Sequence, residues 1–199
     1  GATESNNIII QSVVNKLTEN SSPEDIHLIT SAIEHKSVLE TFKKYEQQGF
    51  DVTYLYPDKA GLITPESLKN SIKPTTKFVS LMYVNNELGN ITDIESCGEI
   101  CSEHNILFHS DASQAVGKLK INISEMKIDF MSFSGHKFYG PKGVGGLYFN
   151  NRAKNAMSSI FYGGPQERGV RPGTIPTHQL VGIAAAARLA IDILNERIE

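Results

Sequence analysis

Cysteine is scarce: Cys97 and Cys101 are the only two in 199 residues. Their C-x-x-x-C spacing, in IESCGEICSEH, matches neither a redox CxxC nor a zinc knuckle. One helical turn apart, they read as small apolar helix residues. Without a disulfide framework, a reducing compartment is expected. Charge of one sign is missing too. A formal net charge of −3, spread without long runs, gives no electrostatic case for nucleic acid or a membrane surface. No apolar run is expected to reach the length of a bilayer span, and no signal peptide is read at the start. Neither a P-loop nor a G-x-G-x-x-G after a first strand occurs, so a nucleotide-binding domain is the weakest reading. Internal repeats and low-complexity linkers are absent as well.

What is present is alternation. With 40% hydrophobic residues, the chain can bury a core as one large domain or about one and a half. Gly1-Ala2-Thr3 runs at once into a helical pattern (Ile8, Ile9, Val13, Val14, Leu17). These small residues therefore lie at a helix N-terminus, a ready anion site, unless Thr3 or Ser5 simply caps the helix. Such loops usually follow a strand and none precedes this one, so it reads as a cut end. Strands are expected at 26–31, 50–56, 78–84, 106–110 and 129–134, with a further strand after the turn at 134–137. Helices are expected at 37–48, from Thr64-Pro65 onward, at 93–103 and at about 178–197. A Gly-rich loop spans Gly163–Thr174. The alternation predicts an α/β domain with a largely parallel sheet. Ligands in such sheets bind beyond the carboxyl ends of the strands. The polar residues mark those ends: His35, Asn85-Asn86, Asp111 and Lys137 each follow a strand.

That set suits one cofactor. Pyridoxal phosphate needs a lysine for its aldehyde, a carboxylate for its pyridine nitrogen and an anion site for its phosphate. Lys137 follows the near-continuous apolar run of Phe130, Met131 and Phe133 on a short tether, where dry neighbours would make its amine a nucleophile. Asp111 at a strand end suits the ring nitrogen, unless it is simply a helix-cap or turn aspartate. His35 can stack on the ring, and Asn86 and Gln114 can bond the phenolic oxygen. Ser134 and His136 can bind phosphate, with Thr3 and its amide neighbours, Ala2 among them, supplying the rest.

The segments GATESNN, EHKSVLE, VNNELG, SDASQAVGK, MSFSGHKFYGPKGVGG and GGPQERGVRPGT together resemble the cysteine desulfurases of iron–sulfur cluster assembly, in the aspartate-aminotransferase-like superfamily. The match covers essentially the whole chain. It implies a three-layer α/β/α fold with a mostly parallel central sheet, the large domain of the fold type I pyridoxal-phosphate transferases. Residues 1–199 would be that domain, incomplete at both ends, with 178–199 beginning the helix that leads to a smaller domain. By the resemblance, Lys137 holds the cofactor's aldehyde and Asp111 pairs with the pyridine nitrogen. His35 is then the stacking residue and acid–base helper, and Asn86 and Gln114 contact the cofactor. Ala2, Thr3, Ser134 and His136 hold the phosphate. Thr174, in RPGT, would reach the phosphate of a neighbouring subunit's cofactor, which implies a homodimer. L-cysteine would be the substrate and L-alanine the product. The sulfur would leave as an enzyme persulfide for iron–sulfur scaffold or sulfur-carrier proteins, serving cluster assembly and tRNA thiolation. The implied location is the bacterial cytoplasm or, in a eukaryote, the mitochondrial matrix.

Two departures qualify the resemblance. The family's nucleophilic cysteine and its substrate-binding arginine lie in the later, smaller domain, and neither Cys97 nor Cys101 matches that motif. Pro172 stands where the family often carries serine. A selenocysteine lyase or an aminotransferase of the same superfamily would use the same lysine–aspartate pair. A non-catalytic domain that binds cofactor or dimerises is the reading from another class.

Overall fold

In the computed structural model, which describes residues 1–198, six strands form one sheet in the order β2-β1-β3-β4-β5-β6. They are β1 (His27–Ser31), β2 (Asp51–Leu55), β3 (Thr76–Ser80), β4 (Leu107–Asp111), β5 (Phe130–Ser134) and β6 (Gly145–Phe149). The first five run parallel, and β6 closes the edge antiparallel to β5. The helices are α1 (Ala2–Leu17), α2 (Lys36–Gln47), α3 (Pro65–Ser71), α4 (Ile94–Glu103), α5 (Asn151–Asn155) and α6 (Thr177–Ile198).

Strand residues alternate between faces, and the two faces build two cores. Ile29, Val79, Phe108 and Met131 pack with Leu68 of α3 and with Ile94, Cys97 and Cys101 of α4. Their neighbours Leu28, Phe78, Leu107 and Phe130 point the other way, against Ile9, Ile10 and Val13 of α1 and Val38 and Phe42 of α2. The result is a three-layer α/β/α fold, as expected. On the α1 face the strands change character along their length. Two residues beyond Phe78 comes Ser80; beyond Leu107 come His109 and Asp111; beyond Phe130 come Ser132 and Ser134. All are buried. The apolar core thus gives way to a buried polar layer at the carboxyl ends of the strands.

Side chains cap the starts of α3 and α4, Thr64 as expected and Asp93 without having been singled out as a cap. Thr64 Oγ1 accepts the Ser67 N–H at 3.1 Å and Asp93 Oδ1 accepts that of Ser96 at 3.0 Å, each satisfying a first-turn amide. At α1 the cap is Gly1, with no side-chain bond, so the Thr3 and Ser5 capping alternative does not hold. The strand expected at 78–84 ends at Ser80. Past that point only the β4 side continues the ladder, with Leu81 N–H donating to His109 O and Tyr83 N–H to Asp111 O, so the segment turns toward the strand ends. Helix α5, which was not expected, is started by Asn150 Oδ1 accepting the Ala153 N–H at 2.8 Å.

Helix α6 alters one expectation. Thr177–Leu194 is long and apolar enough, by length and composition, to cross a membrane. An unbroken apolar run was the wrong criterion, because alanines carry the average across His178, Gln179, Arg188 and Asp192. Val181, Leu189 and Ile191 of this helix are exposed.

Candidate functional site

Beyond the carboxyl ends of β3, β4 and β5 lies a cavity of about 740 Å³. Asp111, the last residue of β4, forms part of its wall and is only 4% exposed. The turn after β4 adds Ser113 and Gln114, and the segment after β3 adds Met82, Val84 and Asn86. Ser134 ends β5, and the single 3₁₀ turn Gly135–Phe138 then carries His136 and Lys137 into the cavity. His35 enters just ahead of α2, and Ala2 and Thr3 enter at the start of α1. The structure therefore brings together every residue expected at the site except Thr174, which is exposed on the loop before α6 and does not line this cavity.

Close backbone approach makes the anion end. A Cβ on Gly145 would sit 2.4 Å from Phe133 O and 2.8 Å from Gly1 Cα, so only glycine lets β6 lie against the start of α1. The first turn of α1 is thereby held over Ser134, whose Oγ receives the Ala2 N–H at 3.4 Å and lies 3.2 Å from His136 Nδ1. Early amides of a helix lack intrahelical acceptors and favour an anion. Across the cavity, Asp111 Oδ1 accepts the Ser113 N–H at 2.9 Å and Oδ2 accepts Asn6 Nδ2–H at 2.7 Å. One lone-pair direction on each oxygen stays open. Ser113 Oγ is buried with no partner among the described residues.

Among the described residues, Lys137 is the only lysine lining the cavity. It is half-buried rather than dry, because its wall is open to solvent, which corrects the expectation of a desolvated amine. Lys118 stands nearby with its Nζ donating to Gln114 Oε1 at 2.6 Å. Burial and the Lys137 charge hold this second amine below the ordinary lysine value.

The donor set fits pyridoxal phosphate on observations of this structure. Helix amides with Ser134 and His136 suit a phosphate, a buried carboxylate with open lone pairs suits a ring nitrogen, and a lysine suits an aldehyde. The orphaned Ser113 hydroxyl awaits a polar partner.

Sequence reading missed the residues behind the wall: Asn6, Ser37, Glu34, Ser80, His109 and Ser132. Asn6 carried a usable signal, since positions 6, 9, 10 and 13 share one helix face and the other three are isoleucine or valine. Glu34 Oε1 accepts Ser31 Oγ–H and the Met82 N–H, each at 2.7 Å, clamping the His35 loop to the segment after β3. Burial raises its carboxyl to about 8, and its Oε2, which has no partner among the described residues, can carry the proton.

These buried groups set an expected pH profile of stability. Burial lowers His27 and His109 to about 4 from an ordinary 6.5. Their contribution is whole above 6.5 and drains as the pH falls toward 4, because only the unfolded chain binds those protons. Glu34 has the opposite sign: its contribution is whole below 4.5 and drains as the pH rises through 8. Thermal unfolding across this range should show greatest stability near pH 6.5, with limbs of about equal slope, because the two histidines opposed by Glu34 leave a net of one proton on the acid side and Glu34 alone gives one on the alkaline side. In Glu34→Gln the alkaline limb should vanish; its persistence would contradict the assignment.

The family model described as Aminotransferase class-V matches residues 1–199. The chain is 50% identical over 193 residues to the cysteine desulfurase IscS of Plasmodium falciparum, covering 95% of this chain and 34% of that protein. It is 46% identical over 199 residues to the cysteine desulfurase IscS of Pectobacterium carotovorum, covering 100% of this chain and 48% of that protein. The chain spans a third to a half of the length of these curated relatives. Among solved structures, SspA in complex with cysteine superposes with a TM-score of 0.89 at 45% identity, covering 94% of this chain and 53% of that one. A NifS-like protein superposes with a TM-score of 0.90 at 38% identity, covering 98% and 52%.

Proposed function

This chain belongs to the aminotransferase class-V family, and from that membership we propose that it is the pyridoxal-phosphate-binding large domain of a cysteine desulfurase. The observation that carries the reading is the single cavity in which Lys137, Asp111, His35, Asn86, Gln114 and the α1–Ser134–His136 cradle meet. The names of the relatives and of the cysteine-bound neighbour support it.

On this reading Ala2 and Thr3 amides, Ser134 and His136 hold the phosphate, and Asp111 takes the ring nitrogen. Asn86 and Gln114 would bond the phenolic oxygen, and His35 would pack against the ring. Lys137 Nζ would hold the aldehyde and, once released, would be the group placed to carry a proton. The cofactor, when bound, supplies an electron sink for negative charge at the substrate's carbon. L-cysteine is the substrate, and its sulfur leaves to a thiolate as a persulfide, releasing L-alanine. Scaffold or carrier proteins of iron–sulfur assembly and tRNA thiolation receive the sulfur, in the bacterial cytoplasm or the mitochondrial matrix. Thr174, exposed and outside its own cavity, serves the cofactor phosphate of a second copy, making the working unit a homodimer.

The attacking thiolate is not Cys97 or Cys101. Both pack in the core under α4, 0% and 1% exposed. Burial pushes Cys97 up to about 12 and also raises Cys101, while a sulfur nucleophile must be exposed and ionised. We place it on a mobile loop of a smaller domain outside these residues.

The test uses the purified 199-residue chain with pyridoxal phosphate. L-cysteine is expected to perturb the bound cofactor's absorbance without releasing alanine at an enzymatic rate, and Cys97→Ser and Cys101→Ser should behave alike. Robust alanine release abolished by either replacement would overturn the placement of the thiolate. Perturbation by other amino acids but not by L-cysteine would overturn the substrate.

A further inference from the structure

The buried polar layer behind the cavity has a direction that hydrogen-bond arithmetic determines. A carboxylate only accepts, and both Asp111 oxygens do so. Asn6, which is 0% exposed, can therefore face Asp111 only with its NH₂. The second hydrogen of that NH₂ goes to Ser37 Oγ at 2.8 Å. Asn6 Oδ1 is left to accept the Ser132 hydroxyl. Having donated there, Ser132 Oγ can only accept from the ring nitrogen 3.2 Å away, so His109 carries its proton on Nε2. Its Nδ1 then takes the Ser80 hydroxyl at 2.8 Å. A neutral His109 agrees with the burial that lowers it to about 4.

The other branch runs to the cavity. Ser37 Oγ accepts from Asn6, so its own hydrogen is free for His35 Nδ1, 2.8 Å away. The Ser37 backbone N–H reaches the same nitrogen at 3.1 Å. A ring nitrogen that accepts twice holds no proton, so the proton of neutral His35 sits on Nε2, which takes no partner from the described residues. We infer that Asn6 is a positioning residue: by fixing the direction of this chain it holds His35 as the Nε2–H tautomer at the cavity wall. His35 is thereby a proton donor before it can be an acceptor. The meaning of that order for catalysis rests on the proposed cofactor reading; the tautomer itself does not.

The test is nitrogen NMR of the histidine-labelled chain without cofactor. At neutral pH, His35 and His109 should both show an unprotonated Nδ1. His104, whose Nδ1 donates to Ile100 O at 2.9 Å, is the opposite tautomer and the internal control. Ser37→Ala removes the hydroxyl donor. The isosteric Asn6→Asp replaces the NH₂ with an acceptor, so Ser37 Oγ–H turns toward residue 6 and leaves His35. Each variant should move the His35 tautomer ratio toward Nδ1–H by up to about tenfold, the weight of one hydrogen bond, while His109 and His104 hold. Should Asn6→Asp fail to fold, Ser37→Ala alone decides. A protonated Nδ1 on His35 in the parent, or an unchanged ratio in the variants, would overturn the inference. A separate absorbance titration with pyridoxal phosphate keeps its failure distinct from failure of the cofactor reading.

Discussion

Borohydride treatment of the chain with pyridoxal phosphate is expected to fix the cofactor on Lys137, and Lys137→Ala is expected to abolish that label. The argument is positional. The 3₁₀ turn Gly135–Phe138 is packed on both sides, with Gly135 N–H donating to Val144 O at 3.0 Å and Gly140 N–H to Gly135 O at 2.9 Å. Lys137 therefore enters the cavity from a fixed base, with no salt-bridge or hydrogen-bond partner for its Nζ among the described residues. The rival amines are engaged or misplaced: Lys118 is bonded to Gln114, and Lys142 is exposed outside the cavity. A Schiff-base lysine is the sole covalent anchor, so labelling should fall from about one cofactor per chain to background. Noncovalent binding through the phosphate cradle should persist at reduced affinity. Peptide mapping that places the label on Lys118 or Lys142 would refute the assignment.

The second large effect is expected at Asp111. It needs no incoming thiolate, because exchange of an amino acid's α-hydrogen for deuterium requires only the proton-carrying lysine and the electron sink. In Asp111→Ala that exchange, followed by mass spectrometry with L-cysteine or L-alanine, should slow by about two to four orders of magnitude. Breaking one side of a buried charge pair costs about 3–5 kcal/mol, and each 1.36 kcal/mol is about tenfold in rate. Cofactor occupancy should fall much less, because Lys137 and the helix amides are untouched. Asp111→Asn keeps the shape and should lose nearly as much, since an amide cannot hold the ring nitrogen's proton as a carboxylate does. Exchange at the parent rate in either variant would remove Asp111 from the electron-sink role.

Local chemistry explains what the sequence disclosed. Thr64-Pro65 and Asp93 declare helix starts because a cap acts on amides two or three residues away. Lys137 and Asp111 stood out because each sits at or just past the carboxyl end of a segment read as a strand. What stayed hidden depends on neighbours distant in the chain. His109 reads as one polar residue in ILFHSD until Ser80 and Ser132 are seen on either side of it. The openness around Lys137 is likewise set by walls from several elements, so an apolar run just before a lysine does not make the amine dry. The early end of β3 depends on which flank of Leu81 has a strand beside it.

The bonds of the polar layer also bear on how the domain matures. Asn6 meets Asp111 across 105 residues of chain and Ser132 across 126, so each bond carries the full loop-closure cost until the strands between are in place. Closing loops of that length is entropically unfavourable, and parallel sheets assembled through crossovers are slow folders. The cavity is lined from α1 and from the ends of β3, β4 and β5, so its full lining needs all of them in place. It takes shape only when the first helix of the chain docks onto strands made much later. Possession of a formed pocket is in that sense a certificate of completed folding, and any ligand that recognises it sorts finished molecules from unfinished ones.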